Sequence, residues 1–456
     1  MIYLIALLTF PVLTALGAYV FKNRQPGLWL LLGAVGHCGL SILVCRNPEA
    51  NSFLGITSGS DITLLSLTSI LYLSVCVYLY SFLYNEPGSR NARMLLALCM
   101  PLFLSAMTLV IAARDFALLW VAVEATTLAS APLILLHRSK ASVEAMWKYL
   151  LICSTGIALA LFGTLLLAMA ARQGGVAFHG MSMADFMVVR NKLEPRLAVF
   201  AFVFILAGYG TKMGLVPFHT WLPDAHSEAP GAVSALLSAG LLNTAFISIT
   251  RFMAVMPAAA AHKCSNMLTL LGFLSLATAA LFIIKQSDFK RMLAYSSVEH
   301  MGIVAIIYAH CSMDTTIFHM LGHSLVKMAL FLLAGNMLFA WRTRRISQVS
   351  GLFETMPRTA VLWFTGLVLI CGVPPSPLFV TELQLLLALP LPLAITAAIL
   401  LFMVFAGMFK AGLEMCMGKG SVLTLRKKKA EKLIYIPAAA LLLALALAGI
   451  LMVALC

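Results

Sequence analysis

The sequence predicts an all-α polytopic membrane protein of about fourteen transmembrane helices. Of its 456 residues 62% are hydrophobic and only 11% are charged, where a soluble domain carries about 25% charged residues. Apolar runs long enough for one spanning helix, roughly 20 residues, follow one another almost end to end. The runs are continuous rather than alternating, which excludes a transmembrane β-barrel.

Taken in order, the spans fall at 2–21, 27–45, 62–84, 94–113, 115–136, 146–171, 196–218, 229–253, 264–284, 290–310, 315–341, 358–381, 384–411 and 433–455. Met1 opens its run without a basic segment or a small-residue cleavage site, so that run is expected to be the first span and not a removable signal. Connections are short except 172–195 and 412–432, and no soluble domain is expected. The spans group as N-terminal helices 1–93, a first five-helix set 94–253, a second 254–411, and a basic loop with a last helix at 412–456.

The net charge of +14 is a topology signal rather than a nucleic-acid one. Starting with Lys22 and Arg24, every second connection carries most of the basic residues: 21 of the 31, against 8 on the other side. Lysine and arginine gather in cytoplasmic loops, so both termini are expected outside. The run Arg426 to Lys429 fits the same signal, with anionic lipid or a partner subunit as the alternative. Only Lys212 and Lys327 belong to no loop. The ten cysteines are scattered and form no CxxC pair. They behave as small hydrophobes, so the chain is expected to hold no cofactor. Nucleotide-loop, nucleophile-triad and haem signatures are also missing, and no covalent chemistry is expected.

Lys212 ends an apolar run and is followed by Pro217 and Pro223, which break a helix. A charge near the centre of a membrane helix costs roughly 2.5–3.5 kcal/mol even on the lenient insertion scale. Glu382 follows GVPPSP, a second proline-broken span five spans later. An odd offset reverses orientation in the membrane, so the seventh and twelfth spans are expected to be discontinuous helices in two inverted five-helix repeats, the pattern that marks an ion pathway.

Glu124, Lys212, Lys327 and Glu382 are the candidate pathway. Membranes use such groups for proton relays. A lysine serves because its proton affinity depends on its desolvation and on the nearness of a carboxylate. The plainer alternative is static ion pairs that fix helix packing. His319 and His323 precede Lys327 by eight and four residues on one helical face. Two histidines so spaced could hold a metal, but the local sequence offers no acidic or third ligand. A relay to Lys327 is therefore the expectation, with no metal. Glu299 and His300 are adjacent and face different directions. His219, Asp224, His226 and Glu228 cluster at the cytoplasmic end of the seventh span, either as a proton inlet or as a solvated loop.

The stretches KMGLVPFHTWLPDAHSEAPGAVSALL, DFKRMLAYSSVEHMG and HSLVKMALFLLAGN resemble the signatures of the antiporter-like subunits of respiratory complex I, from about the third span to the thirteenth. YSSVEHMG and SALLSAGLLNTAFISITRF resemble the branch found in membrane-bound hydrogenase and formate hydrogenlyase complexes, the hydrogenase 4 component F type. The resemblance implies fourteen helices, two inverted repeats, and proton or sodium conduction driven by redox chemistry elsewhere. The partners it implies are other membrane subunits and a peripheral redox arm with iron–sulfur clusters and a nickel–iron site, in a bacterial or archaeal cytoplasmic membrane. Glu124 then matches the fifth-helix glutamate, Lys212 the seventh-helix lysine, Lys327 the eleventh-helix lysine and Glu382 the terminal residue of helix twelve. The family often places lysine or histidine in helix eight. Here that stretch offers Ser238 and Asn243, so a bridging water or the pair His319/His323 would make the link. The long lateral helix of one complex I subunit is not expected. Alternatives are an NADH–quinone oxidoreductase subunit, a non-redox cation/proton antiporter subunit, a passive anchor, or energy coupling to inorganic-carbon uptake.

Overall fold

The computed structural model describes residues 1–21, 26–85, 89–174, 180–418 and 435–455. The expected basic run Arg426 to Lys429, and Lys22 and Arg24, lie outside them. The described residues are almost wholly helical, with only isolated β-bridges between loop segments. Six helices precede the first long connection: α1 (Ile2–Val20), α2 (Pro26–Arg46), α3 (Gly59–Asn85), α4 (Arg90–Ala112), α5 (Phe116–Ile134) and α6 (Lys140–Gln173). The short α7 (Met183–Val189) lies in that connection and is followed by α8 (Pro195–Met213), α9 (Trp221–Glu228) and α10 (Gly231–Leu236). A π-turn at Leu237–Leu241 leads into α11 (Leu242–Ala254), α12 (Ala258–Ile284), α13 (Phe289–His310) and α14 (Met313–Trp341). The last are α15 (Leu352–Thr355), α16 (Pro357–Ile370), α17 (Pro377–Ala388), α18 (Leu391–Cys416) and α19 (Ile436–Leu455).

Twelve stretches are long and apolar enough to cross a membrane. The pair α16 and α17, taken as one broken span, and α19 bring the described spans to the expected fourteen.

Side chains set the helix starts. Asp115, Ser139, Asp288 and Ser312 accept from backbone N–H groups in the first turns of α5, α6, α13 and α14, which satisfies donors that a helix cannot bond internally. The interruptions have equally local causes. α8 stops at Gly214, whose φ of 82° is left-handed and whose N–H reaches back to the Gly210 and Thr211 carbonyls. Pro217 follows, and the chain re-enters helix at Trp221. Pro223, expected to break this span as well, sits instead in the first turn of α9, where a missing N–H costs nothing. The twelfth span is cut between Ile370 and Pro377, with Gly372 at φ 68° and Ser376 capping α17. α17 then runs on to Ala388, so the thirteenth span begins at Leu391 rather than at 384.

Contacts divide the chain into two units. The first comprises Met1–Cys76, Gly88–Trp221 and Gly240–Leu270. Its closest helix pair is α6 with α8, which meet across Gly156, Gly163 and Gly208. The second comprises Val77–Pro87, Leu222–Ala239 and Leu271–Cys456. Its hub is α14, which touches α10, α13, α16, α17 and α19. α18 leaves Ile395, Ile399 and Phe402 exposed, as a helix facing hydrocarbon does.

Candidate ion-translocation sites

In the first unit the site is built by α5, α6 and α8. Glu124, Thr127 and Ser130 are spaced three apart and share one face of α5. α6 supplies Tyr149 and Ser154, and the last turn of α8 supplies Lys212, whose side chain has no exposed surface. Lys212 Nζ donates to Thr127 Oγ1 at 2.8 Å and to the Tyr149 hydroxyl at 2.7 Å, and lies 4.7 Å from the centre of the Tyr149 ring. Thr127 Oγ1 donates onward to Glu124 Oε2 at 3.2 Å. Ser154 donates to the other carboxylate oxygen at 2.7 Å, and Ser130 lies 2.7 Å from the Tyr149 hydroxyl. The expected Glu124–Lys212 pair thus meets through one hydroxyl rather than directly. The C-terminus of α8 favours a cation in its last turn, and Trp221 Nε1 donates to the exposed Thr211 carbonyl at 2.8 Å.

This arrangement can move a proton. Thr127 accepts from the ammonium and donates to the carboxylate, so its own proton passes to Glu124 as one from Lys212 replaces it. One threonine rotation restores the start.

In the second unit Lys327, on α14, is equally buried. Its Nζ donates to the Leu293 carbonyl of α13 at 2.7 Å. Ser297 Oγ donates to the same carbonyl at 3.2 Å and lies 2.8 Å from Ser238 Oγ. Ser238 sits in the π-turn, an irregularity found often at functional sites. Ser238 therefore reaches Lys327 through two hydroxyls and one carbonyl. Asn243 is buried on α11.

The carboxylate in electrostatic reach of Lys327 is Glu299, whose Oε2 has no partner among the described residues. Its neighbour His300 turns to His319, with Nδ1 3.1 Å from His319 Nε2 and Nε2 3.1 Å from the Ile370 carbonyl. His319 Nδ1 meets Thr381 Oγ1 at 2.8 Å. Ligand atoms of His300, His319 and Glu382 all lie within 4.8 Å of one another. The local sequence offers no third ligand near His319, yet α13 and α17 bring two. His323 is buried beside this group, 5.3 Å from His300 between ring centres, and both its nitrogens lack partners among the described residues.

The cluster at the end of the seventh span is not a solvated loop. His226 is fully buried and stacks on Phe331 with ring centres 4.9 Å apart. Asp224 pairs with Arg291 at 3.1 Å, and Glu228 with Arg344 at 2.6 Å. His219 is half-buried. Lys290, a loop residue by the charge count, is a third fully buried lysine. It donates to the Ser227 carbonyl at 3.2 Å and to that of Ala229, and so caps the end of α9.

The hydroxyl groups are the part that charge counting misses. Thr127 and Ser130 carry a weak signal, their three-residue spacing from Glu124. Tyr149 and Ser154 carry none, because only helix packing selects them.

Residues 113–418 match the family described as NADH:quinone oxidoreductase/Mrp antiporter, TM, and every residue of both sites falls inside the match. The chain belongs to this family. It is an antiporter-like membrane subunit in architecture. Among its relatives, the Hydrogenase-4 component F homolog of Methylacidiphilum infernorum is 33% identical over 384 residues, 82% of this chain and 80% of that one. Hydrogenase-4 component B of Escherichia coli is 28% identical over 365 residues, 76% of this chain but only 52% of that longer one. A chain of the archaeal membrane-bound sulfane sulfur reductase superposes with a TM-score of 0.87 at 19% identity, covering 99% of this chain and 95% of its own. A chain of the Mrp complex from Dietzia gives 0.85 at 20% identity, covering 100% and 96%. At those identities the structures speak for the fold alone.

Proposed function

We propose that the chain translocates protons as a membrane subunit of a respiratory-type, hydrogenase-like complex, with formate hydrogenlyase as the nearest type. The observation that carries this is the hydrogen-bonded line Lys212–Thr127–Glu124, a buried cation joined to a carboxylate by one exchangeable hydroxyl. A static ion pair would do without the intermediary. Lys327 is the corresponding buried cation of the second unit, with Glu299 as its carboxylate. The Hydrogenase-4 names of the relatives favour this kind of complex. The partners would then be other membrane subunits and a peripheral arm with iron–sulfur clusters and a nickel–iron site. The complex would sit in a bacterial or archaeal cytoplasmic membrane, with both termini of this chain outside. Moving one charge against 100 mV takes about 2.3 kcal/mol, which redox chemistry in the partners would supply. Repeats related by inversion, with Lys212 and Glu382 beside the two breaks, fit this reading.

A cation/proton antiporter subunit without redox partners is the second reading, favoured by the likeness to the Mrp chain. Purification of the intact complex separates the two, since nickel–iron and iron–sulfur proteins accompany the chain only in the first. The relay is tested by Thr127→Val, which keeps the shape and removes the hydroxyl. Proton uptake into vesicles carrying the complex should fall about a hundredfold, the scale of a lost proton-transfer group, and Thr127→Ser should restore most of it. Undiminished uptake in the valine variant would remove Thr127 from the path.

A further inference from the structure

We propose that His300, His319 and Glu382 form a binding site for one divalent transition-metal ion of zinc-like character. The hydrogen bonds around the two histidines point there. His300 Nε2 faces the Ile370 carbonyl at 3.1 Å. A carbonyl only accepts, so Nε2 carries the proton and Nδ1 of the neutral ring is bare. Thr381 Oγ1 lies 2.9 Å from the Leu378 carbonyl, to which it donates. Its remaining lone pairs accept from His319 Nδ1–H at 2.8 Å, which leaves His319 Nε2 bare. The two bare nitrogens then face each other 3.1 Å apart. Lone pairs at that distance repel unless a cation lies between them.

The geometry suits a metal ion. Zinc–nitrogen bonds of about 2.0–2.1 Å give a tetrahedral N–N edge of roughly 3.3 Å, close to the spacing observed. Glu382 supplies a carboxylate oxygen within 4.8 Å of both nitrogens. Two imidazoles and a carboxylate suit zinc and its neighbours, not calcium or magnesium. Each histidine already has its second nitrogen held, one by a backbone carbonyl and the other by a threonine, as metal-ligating histidines do. His323, buried and without partners among the described residues, stands beside His300 as a fourth donor after a ring shift. Gly372 makes room for the carboxylate: a Cβ there would collide with Glu382 Oε2, and the residue's φ is 68°.

An occupied site would place two positive charges near Lys327, one helical turn beyond His323. Zinc would therefore block proton passage through the second unit. That consequence rests on the proton-translocation reading, whereas binding itself does not.

The full chain, purified in detergent and stripped with a chelator, is titrated with Co2+ and then Zn2+. One Co2+ per chain, with the intense visible bands of a tetrahedral site that Zn2+ abolishes, is expected. His300→Gln and His319→Gln should each weaken binding at least tenfold. Thr381→Val, which removes only the supporting hydroxyl, should weaken it 10- to 100-fold. Gly372→Ala displaces Glu382 without altering any ligand, and should change the cobalt spectrum even if a histidine variant fails to fold. Absence of the bands, or bands unchanged in His319→Gln and Gly372→Ala, overturns the site. A chain that pumps protons but binds no cobalt refutes the metal site alone. A chain that binds cobalt but does not pump refutes the transport reading alone.

Discussion

Replacing Lys212 with methionine is expected to abolish redox-driven proton uptake while leaving the chain folded in the membrane. Methionine keeps most of the volume, so no large cavity opens at this fully buried position. What is lost is the only donor that joins Thr127 and Tyr149 to a titratable cation. Tyr149 keeps Ser130, and Glu124 keeps Ser154 and Thr127. Removing one partner of a fully buried ion pair costs about 3–5 kcal/mol, and orphaning a hydrogen-bonding group about 1–3 kcal/mol. The smaller figure applies here, because Glu124 is only half-buried and already hydrogen-bonded. Lys212→Arg separates charge from proton transfer. Arginine stays charged but does not release its proton in proteins, so it should fail as fully as methionine. Vesicle uptake followed with a pH-sensitive dye checks both. Wild-type uptake in either variant would eliminate Lys212 as a relay group.

The outlines of this fold are legible in the sequence because the bilayer imposes a coarse rule. Charges are sorted into loops, so Lys212 and Lys327 stand out by arithmetic alone, and Pro217 and the Pro374–Pro375 pair mark both broken spans. Lys290 escapes the same arithmetic. Its neighbours Asp288 and Arg291 read as a loop, yet it is drawn inside because the end of α9 presents carbonyls that need a donor. Thr127 and Tyr149 escape for another reason. Hydroxyl side chains are common in apolar helices, and which of them faces a lysine depends on the rotation of α5 and α6 about their axes. The approach of His300 and Glu382 to His319 depends likewise on three helices distant in sequence. Spacing within one helix shows only His319, His323 and Lys327 on a common face.

Gly208→Val should have the largest structural effect and should stop transport without touching a titratable group. α6 and α8 pack backbone to backbone through small residues, the arrangement that lets membrane helices approach closely. A Cβ on Gly208 would lie 2.5 Å from the Gly156 carbonyl oxygen and 2.6 Å from Ala160 Cβ. Both are fixed atoms, so the helices must separate. Overpacking of this kind costs about 1–3 kcal/mol. Its reach is longer than its energy suggests. Gly208 and Lys212 are four apart on one face of α8, so a shift of about 1 Å at Gly208 carries Lys212 Nζ beyond the 2.7 Å it keeps from Tyr149, since hydrogen bonds fade past roughly 3.2 Å. A lower melting temperature of the purified chain and at least a tenfold loss of uptake are expected together. Gly208→Ala should be milder and partly rescued by Ala160→Gly, which removes the 2.6 Å contact but leaves the one to the Gly156 carbonyl. If uptake falls with the melting temperature unchanged, or the melting temperature falls with uptake unchanged, close approach of α6 and α8 is not what holds Lys212 in place.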